Sequence, residues 1–263
     1  MLKHDKGQVI IPTGGGKTIC MIQDYLNHEH RGCSTTVVVA PRILLAKQLC
    51  KEFLEMLPSD YMVAVYHVHS GETEHFSSTK PALIANWHRQ SYSNKLIFTT
   101  YHSLEKIVQS GISIDTIYFD EAHNSVQRNF FVPTEFYSRH ARRCYFFTAT
   151  PKHSVTPRKP GMNDSRVYGQ VICNVPAPKL VEEGYILPPV VRLTQLPQGD
   201  FKQSDSQNLL DTIDDNTADK ILIAARSTKQ IVRLVTQSDF TFQLEQRGYN
   251  WMYITSKTGA IIN

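Results

Sequence analysis

A glycine-rich segment close to the N-terminus has the composition of a phosphate-binding loop. Its residues are, in order, Pro12, Thr13, Gly14, Gly15, Gly16, Lys17 and Thr18. Glycines let the backbone turn so that several N–H groups point at one anion, and a helix that follows adds its positive N-terminus. Lys17 would reach the terminal phosphates of a nucleotide, and the hydroxyl of Thr18 would bind Mg²⁺.

The segment departs from the general pattern G-x-x-x-x-G-K-[ST], because Ile11 occupies the place of the first glycine. A glycine-rich turn that happens to precede Lys and Thr is the alternative interpretation. The apolar run 9–11 before the loop and the helical pattern after it favour a phosphate site, since a strand, a loop and a helix in that order direct N–H groups at one anion.

A second candidate for chemistry is an acidic segment in the middle of the chain. It reads Asp120, Glu121, Ala122 and His123, and it follows the apolar run 116–119 directly. Asp120 would hold the metal from the side opposite Thr18, and Glu121 would orient or deprotonate an attacking water. With the glycine-rich loop, this segment predicts phosphoryl transfer. A solvated acidic loop is the alternative, and His123 could either link to another lobe or hydrogen-bond locally.

These segments are far apart in sequence, so a scaffold must bring them together. Short runs that are apolar on both faces, as buried parallel strands are, occur at 9–11, 36–40, 96–98, 116–119 and 144–147. Helical patterns lie between them, including 17–28 and 43–57. This alternation predicts an α/β sheet, whose ligands bind beyond the carboxyl ends of the strands. That edge would hold residues 12–18, 41–42, 99–103, 120–123 and 148–150.

The chain is predicted to contain one domain, a connection and part of a second domain. Residues 1–150 form the first, and the dense prolines of 151–189 predict a connection with room for a short helix at 177–183. A second α/β pattern covers 190–263, with a helix at 229–236 and possible strands at 190–193, 220–225 and 251–254. So few strands predict an incomplete lobe.

Five segments, taken in order, resemble the motifs of superfamily-2 helicases of the Asp-Glu-Ala-His type. They are 12–18 (motif I), 40–42 (motif Ia), 99–104 (before motif II), 120–123 (motif II) and 148–150 (motif III). The likeness covers residues 8–151 and is to the DNA-acting branch, which includes phage helicases, type I and type III restriction motor subunits and DNA-repair helicases. Motifs I and II are specific in combination, and the order strengthens the other three.

The resemblance implies a RecA-like doubly wound parallel sheet of the P-loop NTPase type, followed by the start of a second RecA-like lobe. It implies a motor that hydrolyses ATP with Mg²⁺ to move along single-stranded or duplex nucleic acid. Lys17, Asp120 and Glu121 would be catalytic, and Thr18 and Asp120 would bind the metal. His123, Thr148 and Thr150 would couple hydrolysis to movement between lobes, unless the two threonine hydroxyls only satisfy a strand end.

The sequence also lacks parts of the family's pattern. Neither motif V nor the Q-x-x-G-R-x-x-R segment that carries the family's arginine fingers occurs in the 263 residues. Such an arginine contributes about 10³–10⁵ in rate in related phosphoryl-transfer systems. We therefore expect the chain alone to bind nucleotide and hydrolyse it poorly, as a fragment of a longer protein. A passive nucleotide- or nucleic-acid-binding fragment and another P-loop NTPase are the alternative functions.

Nucleic-acid contacts are predicted on the rim beyond the strand ends. The candidates are Arg42, Thr99, Thr100 and Ser103, whose side chains or backbone N–H groups could bind phosphates without reading bases. A solvated polar face is the alternative. By resemblance, DNA is favoured over RNA as the partner.

Composition sets broad limits. The formal net charge of +4 permits a polyanionic partner without requiring one, and 41% hydrophobic residues allow a sizeable core. The five cysteines form no C-x-x-C, and the spacing of His67, His69, His75 and His88 fits no zinc pattern, so neither predicts a metal site. With no membrane-length apolar run and no secretory signal, we expect a soluble intracellular protein, in the cytoplasm of a prokaryote or virus-infected cell rather than in a nucleus.

Overall fold

The computed structural model describes residues 3–28, 34–90, 93–156, 158–188, 190–193, 204–216 and 219–255, and the backbone of 259–262. The chain divides into two compact units, Met1–Pro188 and Pro189–Asn263.

The first unit is built on an eight-stranded sheet in which the described strands pair in parallel. The strands are β1 (Lys6–Ile10), β2 (Thr35–Ala40), β3 (Val63–Val68), β4 (Phe76–Ser77), β5 (Asn94–Thr100), β6 (Thr116–Phe119), β7 (Arg143–Thr148) and β8 (Val171–Asn174). Their order across the sheet is β4-β3-β5-β2-β6-β7-β1-β8. Of the five apolar runs found in the sequence, four lie within strands of this sheet, and the run at 9–11 extends one residue past the end of β1.

Helices cover both faces of the sheet. They are α1 (Lys17–Asn27), α2 (Ile43–Met56), α3 (Pro81–Gln90), α4 (Leu104–Ser110), α5 (Arg128–His140), α6 (Ser165–Tyr168) and α7 (Ala177–Glu182). One core cluster joins α1 and α2 to one face through residues such as Ile22 and Phe53. The other joins α3, α4 and α5 to the opposite face, through residues such as Ile84 and Leu104. The predicted α/β, RecA-like doubly wound fold is confirmed.

The sheet register aligns the carboxyl ends of the strands that precede the candidate motifs. Ile10 at the end of β1 lies opposite Thr148 at the end of β7. Phe119 at the end of β6 lies opposite Phe146 of β7. Because parallel strands end at the same edge, the residues that follow β1, β6 and β7 emerge next to one another.

A buried ion pair ties α1 to the opposite end of β7. The guanidinium of Arg143 donates to both carboxylate oxygens of Asp24 at 2.7 and 2.8 Å, and the Tyr118 hydroxyl donates to the same carboxylate at 2.6 Å. Asp24 and Arg143 are 5% and 4% exposed. Such a pair is costly to break from one side, since the remaining charge stays buried. It fixes the helix that begins at the glycine-rich loop against the strand that ends at Thr148.

The structure corrects the predicted connection at 151–189. The described residues up to 188 belong to the first unit, where β8 pairs with β1 and where Met162 and Tyr168 are fully buried. Two of the prolines lie where a helix tolerates them: Pro176 is the N-cap of α7, and Pro178 lies in its first turn. The predicted short helix at 177–183 is observed as α7.

The second unit packs three helices, α8 (Asp205–Asp214), α9 (Thr228–Thr236) and α10 (Phe240–Gln246), and an antiparallel pair, β9 (Met252–Thr255) and β10 (Gly259–Ile262). Its small core contains Leu210, Ile213, Phe240 and Leu244. The predicted helix at 229–236 and strand at 251–254 are observed as α9 and β9. The predicted strands at 190–193 and 220–225 are wrong: both segments are described without strand structure, and Leu222 is 95% exposed.

Across the described parts of the chain, no helix combines the length and the apolar character needed to cross a membrane.

Candidate active site

The glycine-rich loop depends on two left-handed backbone positions and one close approach. Gly14 and Gly16 have φ angles of 78° and 86°, in the region that side chains rarely tolerate. A Cβ on Gly15 would lie 2.6 Å from Ile11 Cγ2 and 2.9 Å from Leu180 Cδ1. The Gly15 N–H also donates to the carbonyl of Pro12 at 3.0 Å, closing a tight turn. The three consecutive glycines are therefore required by the backbone path between β1 and α1.

Two apolar residues that come after β8 in the chain pack next to this loop. Leu180 of α7 packs against Gly15, and Ile186 Cγ2 would lie 3.4 Å from a Cβ on Gly14. The sequence assigned both residues to a connection, so their contribution was missed. Apolar residues in a short helical pattern could have predicted that this segment packs against the first domain. The neighbouring prolines favoured the interpretation as a connection instead.

The loop and the acidic segment lie together, as predicted. Lys17 Nζ at the start of α1 is 3.6 Å from Glu121 Oε1, just beyond the end of β6. The Lys17 side chain is only 11% exposed, so the ammonium is held in the site by its surroundings. A cation and a carboxylate about 100 residues apart in sequence thus share one location at the carboxyl edge of the sheet.

Asp120 continues the sheet edge and occupies a poorly solvated position. Its N–H donates to the carbonyl of Val39 at 2.8 Å, and the Tyr101 hydroxyl donates to its carbonyl oxygen at 2.8 Å. Burial raises the pKa of the Asp120 carboxyl to about 6; the neighbouring Glu121 carboxylate adds to the rise, and the Lys17 ammonium opposes it. A cation beside this carboxylate would favour its ionised form. Tyr101 was not among the predicted site residues.

Glu121 turns the chain sharply after Asp120. Its φ of 45° is the one positive value among the described residues other than glycine. This left-handed conformation costs a side chain about 1–2 kcal/mol, and it is offset locally because Asn124 Nδ2 donates to the Glu121 carbonyl at 2.9 Å. The turn, which continues as a short 3₁₀ helix at Ala122–Asn124, lets the Glu121 carboxylate face both Lys17 and His123.

The three predicted coupling residues form a connected group. His123 Nδ1 lies 3.0 Å from Thr148 Oγ1, 3.5 Å from Thr150 Oγ1 and 3.4 Å from Glu121 Oε2. The Thr150 N–H donates to Thr148 Oγ1 at 3.1 Å. Polar contacts therefore run from the acidic segment to the end of β7, and the local hydrogen bond considered for His123 is present.

The residues next to Lys17 and Glu121 in the chain carry oxygen donors suitable for Mg²⁺. Thr18 lies in the first turn of α1, directly after Lys17, and Asp120 directly follows β6. A hydroxyl and a carboxylate are hard ligands, and Mg²⁺ is commonly held by one or two such groups together with phosphate oxygens and water. The donor set therefore fits this ion.

The residues predicted to contact nucleic acid differ in their exposure to solvent. Arg42 is exposed before α2, and Ser103 is half-buried before α4. Thr99 is fully buried, and its hydroxyl donates to the Val68 carbonyl at 2.9 Å. Thr100 is 4% exposed, with its hydroxyl 3.4 Å from Ser103 Oγ. The prediction is wrong for the Thr99 side chain and weakened for Thr100, because β5 extends through both residues and keeps them inside the sheet.

The sequence profile described as "Type III restriction enzyme, res subunit" matches residues 2–153, more than half of the chain. The chain belongs to this res-subunit family. The superfamily-2 assignment drawn from the motifs is thereby confirmed. The res-subunit match includes the glycine-rich loop, the acidic segment and the Thr148–Thr150 region, which are the parts that the structure brings together.

Solved structures support the fold of this res-subunit family member. One similar structure is a nuclease-deletion mutant of the type ISP restriction-modification enzyme LlaGI in complex with a DNA substrate mimic. It is 22% identical in sequence, the TM-score is 0.58, and the match covers 70% of this chain and 19% of that chain. The ATP-dependent type ISP enzyme LlaBIII bound to DNA is 20% identical with a TM-score of 0.57, over 70% of this chain and 14% of that one. The chain thus spans less than a fifth of each enzyme. No curated protein matches it.

Proposed function

We propose that the chain is the ATP-binding lobe of a nucleic-acid motor that uses hydrolysis of Mg-ATP to move along DNA. The observation that supports this most strongly is the 3.6 Å contact between Lys17 Nζ and Glu121 Oε1, which puts the phosphate loop beside the acidic segment. Phosphoryl transfer needs anchored phosphates, a divalent metal and a positioned water, and these two segments offer groups for each.

Each residue has a role that follows from its chemistry. The Lys17 ammonium and the N–H groups of the loop other than that of Gly15, which closes the turn, bind the β- and γ-phosphates. Thr18 and Asp120 supply oxygen ligands for Mg²⁺, which when bound neutralises charge on the phosphates. Glu121 accepts a proton from the attacking water or holds it in line, and its left-handed backbone keeps its carboxylate directed into the site.

Movement requires that the state of the nucleotide reach other parts of the motor. The contacts from Glu121 through His123 to Thr148 and Thr150 provide a physical route, since a change at the Glu121 carboxylate alters the hydrogen-bond partners of His123. We assign coupling to these residues.

DNA is the proposed track. Arg42 offers an exposed guanidinium, and the start of α2 directs backbone N–H groups outwards beside it. Both contact phosphate without reading bases, so binding should be independent of sequence and should weaken as salt rises. The DNA-bound states of LlaGI and LlaBIII, whose fold is similar, favour DNA over RNA.

The function is tested by single-turnover hydrolysis with protein in excess over ATP, which detects slow reactions. We expect hydrolysis by the full chain to be Mg²⁺-dependent and stimulated by single-stranded or duplex DNA more than by RNA of equal length. Glu121→Gln should bind Mg-ATP normally and hydrolyse it at least about 100-fold more slowly, since it removes the proposed general base.

The matched control is Glu105→Gln, a carboxylate in the first turn of α4 that is exposed to solvent. It should hydrolyse ATP at the wild-type rate. A Glu121→Gln variant that binds Mg-ATP and hydrolyses it as fast as wild type would refute the assigned role, and a DNA-independent rate would refute the motor.

A further inference from the structure

A group of metal-binding side chains lies on the first unit, apart from the site described above. Cys50 of α2, His67 of β3 and His75 of the β3–β4 connection each offer a ligand atom, and these atoms lie within 4.8 Å of one another. The first two side chains are buried and the third is half-buried. A thiol and two imidazoles are ligands typical of zinc sites.

His67 has a ring nitrogen for which the described part of the chain offers no hydrogen-bond partner. The residue is 1% exposed. Its Nδ1 lies 2.9 Å from His69 Nε2, whereas its Nε2 is buried with no hydrogen-bond partner. Leaving a buried polar nitrogen unpaired costs about 1–3 kcal/mol, so its position needs a reason. Nε2 is also the nitrogen of His67 that remains available to a ligand.

The hydrogen bonds around His67 fix the positions of the protons. The Gly71 N–H donates to His69 Nδ1 at 3.2 Å, so a neutral His69 carries its proton on Nε2 and donates it to His67 Nδ1. A neutral His67 must then carry its own proton on Nε2, where it has no acceptor. A metal ion at Nε2 would replace that proton.

We propose that Cys50, His67 and His75 bind a Zn²⁺ ion. Zn–N and Zn–S bonds of about 2.0–2.3 Å require the ligand atoms to approach one another by about 1 Å from their present spacing. His75 can supply much of this movement, because it lies in an irregular segment before β4. Three protein ligands leave the fourth tetrahedral position for water.

Zinc binding would also rearrange the neighbouring protons. The Cys50 thiol would release its proton to solvent. The His67 proton would sit on Nδ1 and be donated to His69 Nε2, so His69 would carry its proton on Nδ1 and lose its contact with the Gly71 N–H. His69 is therefore a positioning residue that orients the His67 ring, as the outer partners of metal-bound imidazoles commonly do. Lys47 lies close enough to oppose a cation at this site, and the Cys50 thiolate would offset it.

The structural result would be a cross-link between α2 and the edge of the sheet. The edge strand β4 has only two residues, and Phe76 within it is 76% exposed. A metal held by Cys50 and His75 would fix the segment that leads into this strand. None of the three proposed ligands belongs to the nucleotide site, so zinc binding here would not depend on the proposed motor function.

The test is Co²⁺ and Zn²⁺ titration of the full chain after removal of metal with a chelator. We expect one Co²⁺ per chain, with a thiolate-to-cobalt charge-transfer band that Zn²⁺ abolishes by displacement. Cys50→Ser should lose the band, and His75→Gln should weaken Co²⁺ binding at least about tenfold. Chelation should lower the melting temperature of the wild type and leave that of His75→Gln unchanged.

Matched controls are Cys20→Ser on α1 and His88→Gln on α3, a half-buried cysteine and a half-buried histidine outside the cluster. Both should keep the band and the wild-type affinity. A melting curve in the presence of chelator shows whether Cys50→Ser is folded. If it is not, the Co²⁺ affinity of His75→Gln tests the site. Absence of stoichiometric metal binding by the wild type, absence of a charge-transfer band, or unchanged binding by folded Cys50→Ser or by His75→Gln would each overturn the proposal.

Discussion

Replacing Asp120 by Asn should stabilise the folded chain at neutral pH, although it removes a proposed metal ligand. The pKa of this carboxyl rises from an ordinary value of 3.8 to about 6, chiefly through burial. That rise corresponds to roughly 3 kcal/mol that opposes ionisation of Asp120 in the folded protein. Asparagine has nearly the same shape and carries no charge, so the variant escapes this cost.

The sign and the pH window follow from proton binding. The unfolded chain releases the Asp120 proton near pH 4, whereas the folded protein retains it until about pH 6. The contribution of Asp120 to stability therefore declines as pH rises through this window and is constant above it. The free energy of unfolding of Asp120→Asn should match that of wild type at about pH 4 and exceed it by up to roughly 3 kcal/mol above about pH 7.

Urea unfolding measures this difference, and the two tryptophans allow the first unit to be followed alone. Trp87 lies in the first unit and Trp251 in the second, so the comparison is made in a Trp251→Phe background. Asp60→Asn, at an exposed carboxylate, is the control and should change stability by less than about 0.5 kcal/mol at every pH. If Asp120→Asn were less stable than wild type at neutral pH, or if the difference did not vary with pH, the desolvated carboxylate would not exist as described.

Three further predictions address the loop, the core and the coupling group. Gly15→Ala should weaken Mg-ATP binding at least about tenfold, because the added Cβ would lie within 3 Å of neighbouring atoms. A Cβ added at Gly16 would have no atom within 4 Å, so Gly16→Ala should cost only about 1–2 kcal/mol of stability, from its left-handed backbone. Calorimetric titration measures the loss of binding, and urea unfolding measures the loss of stability. Arg143→Met should lower the free energy of unfolding by about 3–5 kcal/mol, because it leaves the Asp24 carboxylate buried without a partner. The double variant Arg143→Met/Asp24→Leu should recover most of that loss in the same unfolding experiment. A double variant as unstable as the single one would argue against a buried charge. His123→Ala should retain Mg-ATP binding and lose DNA stimulation of hydrolysis; stimulation at the wild-type level would exclude its coupling role.

Much of the first unit could be predicted because its information is local. Buried parallel strands are apolar on both faces, so the runs at β2, β6 and β7 were recognisable without any knowledge of their partners. The glycine-rich loop and the acidic segment each follow such a strand. Because ligands bind at the carboxyl edge of such sheets, Lys17 and Glu121 could be predicted to lie close together from the sequence alone.

The features that were missed or wrongly predicted depend on packing and pairing between separate segments, which the local sequence does not show. β8 was missed because an edge strand tolerates nearby prolines and need not be apolar on both faces. Thr99 was taken for a surface hydroxyl because the sequence does not show how far β5 extends. The Cys50 cluster depends on a helix packing beside a strand, and spacing along the chain carries no trace of that contact. In the second unit, an apolar run at 220–225 suggested a strand, but no described strand pairs with it.

The central claim is that a triphosphate binds between the glycine-rich loop and the acidic segment, with Lys17 at its terminal phosphates. The most direct test is the dissociation constant of Mg-ATP for the wild type, for Lys17→Ala and for the control Lys106→Ala on α4. Loss of a charge-assisted contact predicts roughly 10- to 100-fold weaker binding by Lys17→Ala and no change for the control. Unchanged binding of Mg-ATP by a folded Lys17→Ala protein would contradict the account.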